Sequence, residues 1–163
     1  MSATKTKMRQ LVDWRAAWRA GLLSGLLCLA VNMLLTSVYV GSPWVVIRLV
    51  ASLVLGERVL PPPATFDATV FVVALVVHLG LSLGYACLIA YVLHRWGLLV
   101  GIAGGAVLGL ALYAINFYTV SFFFPWFFPM RSWIMALSHA LFGACAGGLY
   151  EAMEVERFVP AES

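Results

Sequence analysis

Apolar residues fill four long runs, at about residues 20–40, 68–93, 98–120 and 132–150, and charge, proline and glycine return between them. Each run is close to or above the roughly 20 residues that a helix needs to cross ~30 Å of hydrocarbon. The pattern predicts an all-α integral membrane protein, a four-transmembrane-helix bundle built from two hairpins. A fifth apolar stretch, Trp44 to Leu55, is too short to span and contains Arg48. It predicts a short interfacial helix in a long first outer loop, residues 41–67.

Polar and small positions inside the runs are ordered at helical spacing. In the third run Gly97, Gly101, Gly105, Gly109, Tyr113 and Asn116 fall on one stripe, and in the fourth His139 lies beside Gly143 and Gly147. The first run carries Gly21, Gly25 and Asn32 on one face. The second carries His78, Ser82 and Tyr85 at i, i+4 and i+7, with Gly80 and Gly84 roughly opposite, which predicts a helix packed on two sides. Small residues four apart let helix backbones approach closely in lipid. All four runs contain such a pair, at Gly21/Gly25, Gly80/Gly84, Gly101/Gly105 and Gly143/Gly147, more than four helices need to pack once each, so some faces are available to a partner. The Gly21, Gly25, Asn32 spacing recurs as Gly105, Gly109, Asn116, and each set is followed by a Pro-Trp pair and an arginine: Pro43, Trp44 and Arg48, then Pro125, Trp126 and Arg131. This suggests a parallel repeat of two hairpins.

Composition excludes a soluble globule: the 163 residues are 63% hydrophobic and only 10% charged, against about 45–50% and 25% in ordinary domains. The net charge of +3 comes largely from basic residues flanking the runs, so it signals topology and does not indicate nucleic-acid binding. Lys5, Lys7, Arg9, Arg15, Arg19, Arg95 and Arg157 fall on one side, Arg48, Arg58 and Arg131 on the other. Residues 1–19 thus read as a cytoplasmic basic flank, with Trp14 and Trp18 in the aromatic belt, and 151–163 as a solvated, frayed cytoplasmic tail. No convincing cleavage site follows the first run, which should stay in the membrane. Cys28, Cys87 and Cys145 lie in apolar runs without C-x-x-C spacing and read as packing residues, with no metal site.

The candidates for chemistry are His78 and His139, because an ionisable group inside a membrane is expensive. They sit at similar depth on helices running the same way, so they can face one another. They can hydrogen-bond neighbours such as Ser82, Tyr85, Asn116 or Ser138, ligate haem b as a bis-histidine pair, or relay protons or a metal. Trp126, Phe127, Phe128 and Trp133 read as interfacial anchors, and Arg131 as snorkelling outward or pairing with Asp67 or Glu57. Arg48 and Arg131 also offer an outer-face site for an anion or quinone head. Thr65 or Asp67 can cap the second span. No phosphate-binding loop, paired carboxylates, HExxH or nucleophile–base set is present, so no catalytic residue and no enzyme are expected.

The runs GSPW (41–44), VLPPPATFD (59–67), VHLGLSLGY (77–85), INFY (115–118), FPWF (124–127) and SHALFG (138–143), with Arg48 and Arg131, resemble a group of small four-span bacterial inner-membrane proteins, some labelled "sodium:proline symporter". The resemblance covers about residues 20–150 and implies fold and topology: a multi-pass inner-membrane protein. Alternating access from four spans would require an oligomer. Small extramembrane parts and two-sided packing favour a non-catalytic accessory or scaffold subunit of a larger membrane complex, with lipid and other subunits or further copies as partners. The alternatives are a small oligomeric transporter or channel lined by His78, Tyr85, Asn116 and His139, and a haem b or quinone-binding redox protein. Asn32, Ser82 and Tyr113 would support either polar site.

Overall fold

A computed structural model describes residues 8–160; Lys5 and Lys7 of the basic flank, and residues 161–163 of the tail, lie outside the described residues. The chain forms strand β1 (Met8–Leu11), helices α1 (Trp14–Val40), α2 (Trp44–Leu55), α3 (Ala68–Leu93), α4 (Leu98–Ala114) and α5 (Trp133–Met153), and strand β2 (Arg157–Pro160). A π-helical turn, Ile115–Thr119, prolongs α4, and short 3-10 turns cover 120–122 and 125–130. Four helical stretches of 27, 26, 22 and 21 residues are long and apolar enough to cross a bilayer. The short helix between the first two is α2, as its length predicts.

Local chemistry sets the ends. The Asp13 carboxylate accepts from the Arg15 and Ala16 amides at 3.0 and 3.2 Å, so α1 begins at Trp14, well before residue 20. Much of the supposed flank is therefore helix, its Ala16, Ala17 and Ala20 buried against Ala90 and Tyr150. Asp67 caps α3 through the Val70 amide at 2.9 Å, and Ser132 caps α5 through Met135 at 3.3 Å. Gly41 ends α1 at φ 82°, a left-handed position that suits glycine. The tail departs from expectation as well. Helix α5 continues to Met153, and β2 pairs antiparallel with β1, Leu11 opposite Arg157 and Met8 opposite Pro160.

Inside lipid there is no water to expel, so close packing and polar bonds hold helices together. Helices α4 and α5 meet backbone to backbone: a Cβ at Gly105 would strike the Gly143 carbonyl, and one at Gly109 the His139 carbonyl. Gly21 and Gly25 of α1 bring it onto Ala86 and Ser82 of α3. A Cβ added at Gly80 or Gly84 of α3 would meet nothing within 4 Å, so among the described residues the second packed side expected of this helix is not used. Three apolar clusters stack along the bundle. One, at the end holding the termini, is Ala16, Ala17, Ala20, Ala90 and Tyr150. A middle one centres on Ile89, Leu93, Leu112 and Phe142, and one at the loop end on Leu29, Ile47, Ala51, Val70 and Ala74.

Candidate functional site: a cavity within the bundle

Between the middle and loop-end clusters the helices separate around a cavity of about 420 Å³. Helix α2, folded back over α3, supplies one wall through Val46, Val50 and Leu53, while Phe127 and Phe142 supply another. Into this partly open, apolar-walled cavity come Asn32 of α1, His78, Ser82 and Tyr85 of α3, Asn116 of the π-turn and His139 of α5.

The π-turn gives Asn116 its place. A regular α-helix would carry the α4 ladder straight through, whereas the wider turn shifts register and leaves carbonyls without their usual partners. In this turn the Phe117 carbonyl accepts from both Ser121 Oγ and Arg131 Nε at 2.6 Å, and the second guanidinium nitrogen of Arg131 donates to Ser121 Oγ at 2.6 Å. The guanidinium also lies 4.4 Å from the Tyr118 ring centre and 4.0 Å from that of Phe128. Arg131 therefore neither snorkels outward nor pairs with Asp67 or Glu57. Arg48 is committed in the same manner, to the carbonyls of Thr65 at 3.1 Å and Val59 at 2.9 Å. Both arginines fasten backbone and present no open fork to an anion or quinone head.

From Asn116 a hydrogen-bonded chain crosses three elements. Tyr85 donates to Asn116 Oδ1 at 2.6 Å, and Asn116 Nδ2 donates to His139 Nε2 at 3.3 Å. His139 Nδ1 lies 2.9 Å from the Met135 carbonyl. A carbonyl only accepts, so Nδ1 carries the proton and Nε2 the lone pair. His139 is a neutral imidazole with both nitrogens engaged. Tyr113 and Phe117 flank it, ring centroids 5.8 and 5.5 Å away. His78 is held differently, its Nε2 donating to the Gly25 carbonyl at 2.9 Å. This fixes a proton on Nε2 and leaves Nδ1 as an acceptor.

Asn32 Nδ2 donates to the Cys28 carbonyl at 2.9 Å and to Ser138 Oγ at 2.8 Å. Its Oδ1 is buried and without a hydrogen-bond partner. The site thus brings together His78, His139, Asn32, Asn116, Ser82 and Tyr85, while Tyr113 packs beside it and the glycines Gly101, Gly105, Gly109, Gly143 and Gly147 join α4 to α5 behind it. Two residues read as interfacial anchors serve the interior instead. Phe127 is buried on the cavity wall, and Trp126 donates to Ser52 Oγ at 2.8 Å, tying α2 to the 125–130 turn. Phe128 and Trp133 remain exposed. Ser138, named as a neighbour for the histidines, bonds Asn32 instead, and Cys28, read as a packing residue, also belongs to the site's polar framework through its carbonyl.

As folded, the pair His78 and His139 offers one uncommitted ring nitrogen, not two; bis-histidine haem ligation would require His139 to release Asn116. Among the described residues no three His, Cys, Asp or Glu side chains converge on a metal-sized point. Set against protein-family models, curated proteins and solved structures, the chain finds no match.

Proposed function

We propose that this chain is a non-catalytic membrane protein that binds a lipid-soluble small molecule within its bundle, which is the quinone-type reading of the sequence in preference to haem. The observation that supports it is the cavity: ligand sites are typically enclosures of about 300–1,000 Å³, mostly apolar with a few convergent polar groups, and this one has 420 Å³ with six polar residues on apolar walls. A bacterial inner membrane with cytoplasmic termini belongs to the same proposal. It is supported by Arg9, Arg15, Arg19, Arg95 and Arg157 on the termini side, against Arg48, Arg58 and Arg131 on the other.

The test is purification from the native membrane in mild detergent, followed by extraction and mass spectrometry of what the protein retains. The wild type should carry a discrete apolar compound, and Val50→Phe, which adds a ring to the cavity wall, should lose it while staying monodisperse. Identical extracts from both would sink the reading, and a Soret band would restore haem.

A second reading, an accessory or scaffold subunit of a larger complex, is favoured by the unoccupied Gly80/Gly84 face. The mass of the same preparation decides it. A larger assembly that Gly80→Leu dissolves supports the subunit role, and a lone chain removes it.

A further inference from the structure

Resting on the reading of the cavity as a ligand site, we infer that its occupant carries a hydroxyl head: a phenol, a hydroquinone or a long-chain alcohol. Count what the polar lining leaves open. Asn32 lines the cavity with an Oδ1 that is buried and has no partner, so an occupant reaches it with a small shift of the wall. His78 Nδ1 is left as an acceptor because Nε2 is spent on Gly25. Tyr85 has given its proton to Asn116 and keeps a lone pair. All three are acceptors; on the donor side the amide of Asn116 retains one hydrogen beyond that used on His139, and the Ser82 hydroxyl on the lining can donate or accept.

A buried acceptor with no donor is costly, and more so where no water competes to fill the gap. A ketone, ether or oxidised quinone brings only acceptors and would leave Asn32 and His78 unmet. A hydroxyl donates to one of them and accepts from Asn116 with the same oxygen. Of the arginines at this end, Arg48, Arg58 and Arg131, none lines the cavity, and Arg48 and Arg131 are bound to backbone carbonyls, so no charge invites a carboxylate or phosphate head into it.

The experiment compares two probes of one shape, 4-octylphenol and its methyl ether, which accepts but cannot donate. Protein in phosphatidylcholine nanodiscs is titrated with tritiated 4-octylphenol, and the ether competes against it. The wild type should bind the phenol saturably, one per chain, with the ether at least about tenfold weaker, or about 1.4 kcal/mol. In Asn32→Leu the gap should disappear, mainly by weakening of the phenol. Equal binding of both probes by wild type, lost together in Val50→Phe, overturns the hydroxyl head and leaves the cavity standing as a ligand site. Saturable binding of neither probe, or binding of both that is indifferent to Val50→Phe, overturns the two readings together. The wild-type comparison decides the head group even if Asn32→Leu does not fold.

Discussion

His139 illustrates how little freedom a polar residue has inside this bundle. Its Nδ1 proton goes to the Met135 carbonyl and its Nε2 lone pair to Asn116, so removing the ring leaves the part-buried Asn116 amide without its acceptor and takes the second bond from the Met135 carbonyl. His139→Leu should therefore cost about 1–3 kcal/mol. His139→Gln keeps an acceptor for Asn116 and should cost less. Thermal unfolding in detergent, with size-exclusion profiles as a check on folding, separates the two. Equal melting of wild type and His139→Leu would show that the Asn116 link carries no weight. The sequence was legible at this scale in a particular way. Two histidines, Tyr85 and two asparagines in apolar runs stand out by cost alone, and all of them reach the cavity. Their partners do not stand out, because Gly25, Met135 and Cys28 act through backbone carbonyls that every residue possesses. The reading of Arg131 failed for that reason: a carboxylate partner can be guessed from the sequence, whereas a carbonyl freed by a π-turn cannot.

At the scale of elements, the glycines divide by what stands opposite them. Gly105 has the Gly143 carbonyl against it and Gly80 has open space, though both belong to the same small-xxx-small pattern. Gly105→Ala should force α4 from α5 and destabilise by about 1–3 kcal/mol. Gly80→Ala should be neutral, or stabilising by up to about 1 kcal/mol from the lower entropy cost of alanine in a helix. Melting temperatures of the two variants, purified alike, make the comparison, and equal losses would mean that the α4 and α5 backbones do not meet as described. Periodicity identified each span because a run of twenty apolar residues has few other uses. It could not say which glycine face is internal, since the pattern is the same on both. Nor could it reveal the π-turn, because Ile115–Thr119 reads as ordinary helix until Arg131 is seen holding the Phe117 carbonyl. The recurrence of Gly21, Gly25, Asn32 in Gly105, Gly109, Asn116 does have a spatial counterpart. In each set the glycines seat the helix on its hairpin partner and the asparagine reaches the cavity.

Over the whole molecule the two hairpins pack along their length, part only around the cavity, and are fastened again at both ends. At the loop end Trp126 holds the second hairpin to α2 through Ser52. At the termini a single carboxylate performs the equivalent task. Asp13 caps α1 with Oδ1 and accepts from the Val155 amide with Oδ2 at 3.1 Å, while its own amide donates to the Tyr150 hydroxyl at 3.2 Å. The paired strands β1 and β2 continue the same seam. Partial burial raises the pKa of Asp13, but the amides of Val155, Ala16 and Arg15 and the charge of Arg157 outweigh it and hold the group below its ordinary 3.8. The folded state thus favours the anion. Its contribution is full above the unfolded value and drains away as pH falls through the lower, folded one. Because Asp13 lies outside the spans, bulk pH reaches it directly. Asp13→Asn offers the control: an amide nitrogen cannot accept from Val155, so the variant should show the loosened seam at every pH. Backbone hydrogen exchange over 155–160, corrected for the intrinsic rate, should be slow in wild type near neutral pH and should approach the Asn level only as pH falls below about 3.8. Wild-type exchange that matches the variant at neutral pH would show that the carboxylate does not hold the two ends of the chain together.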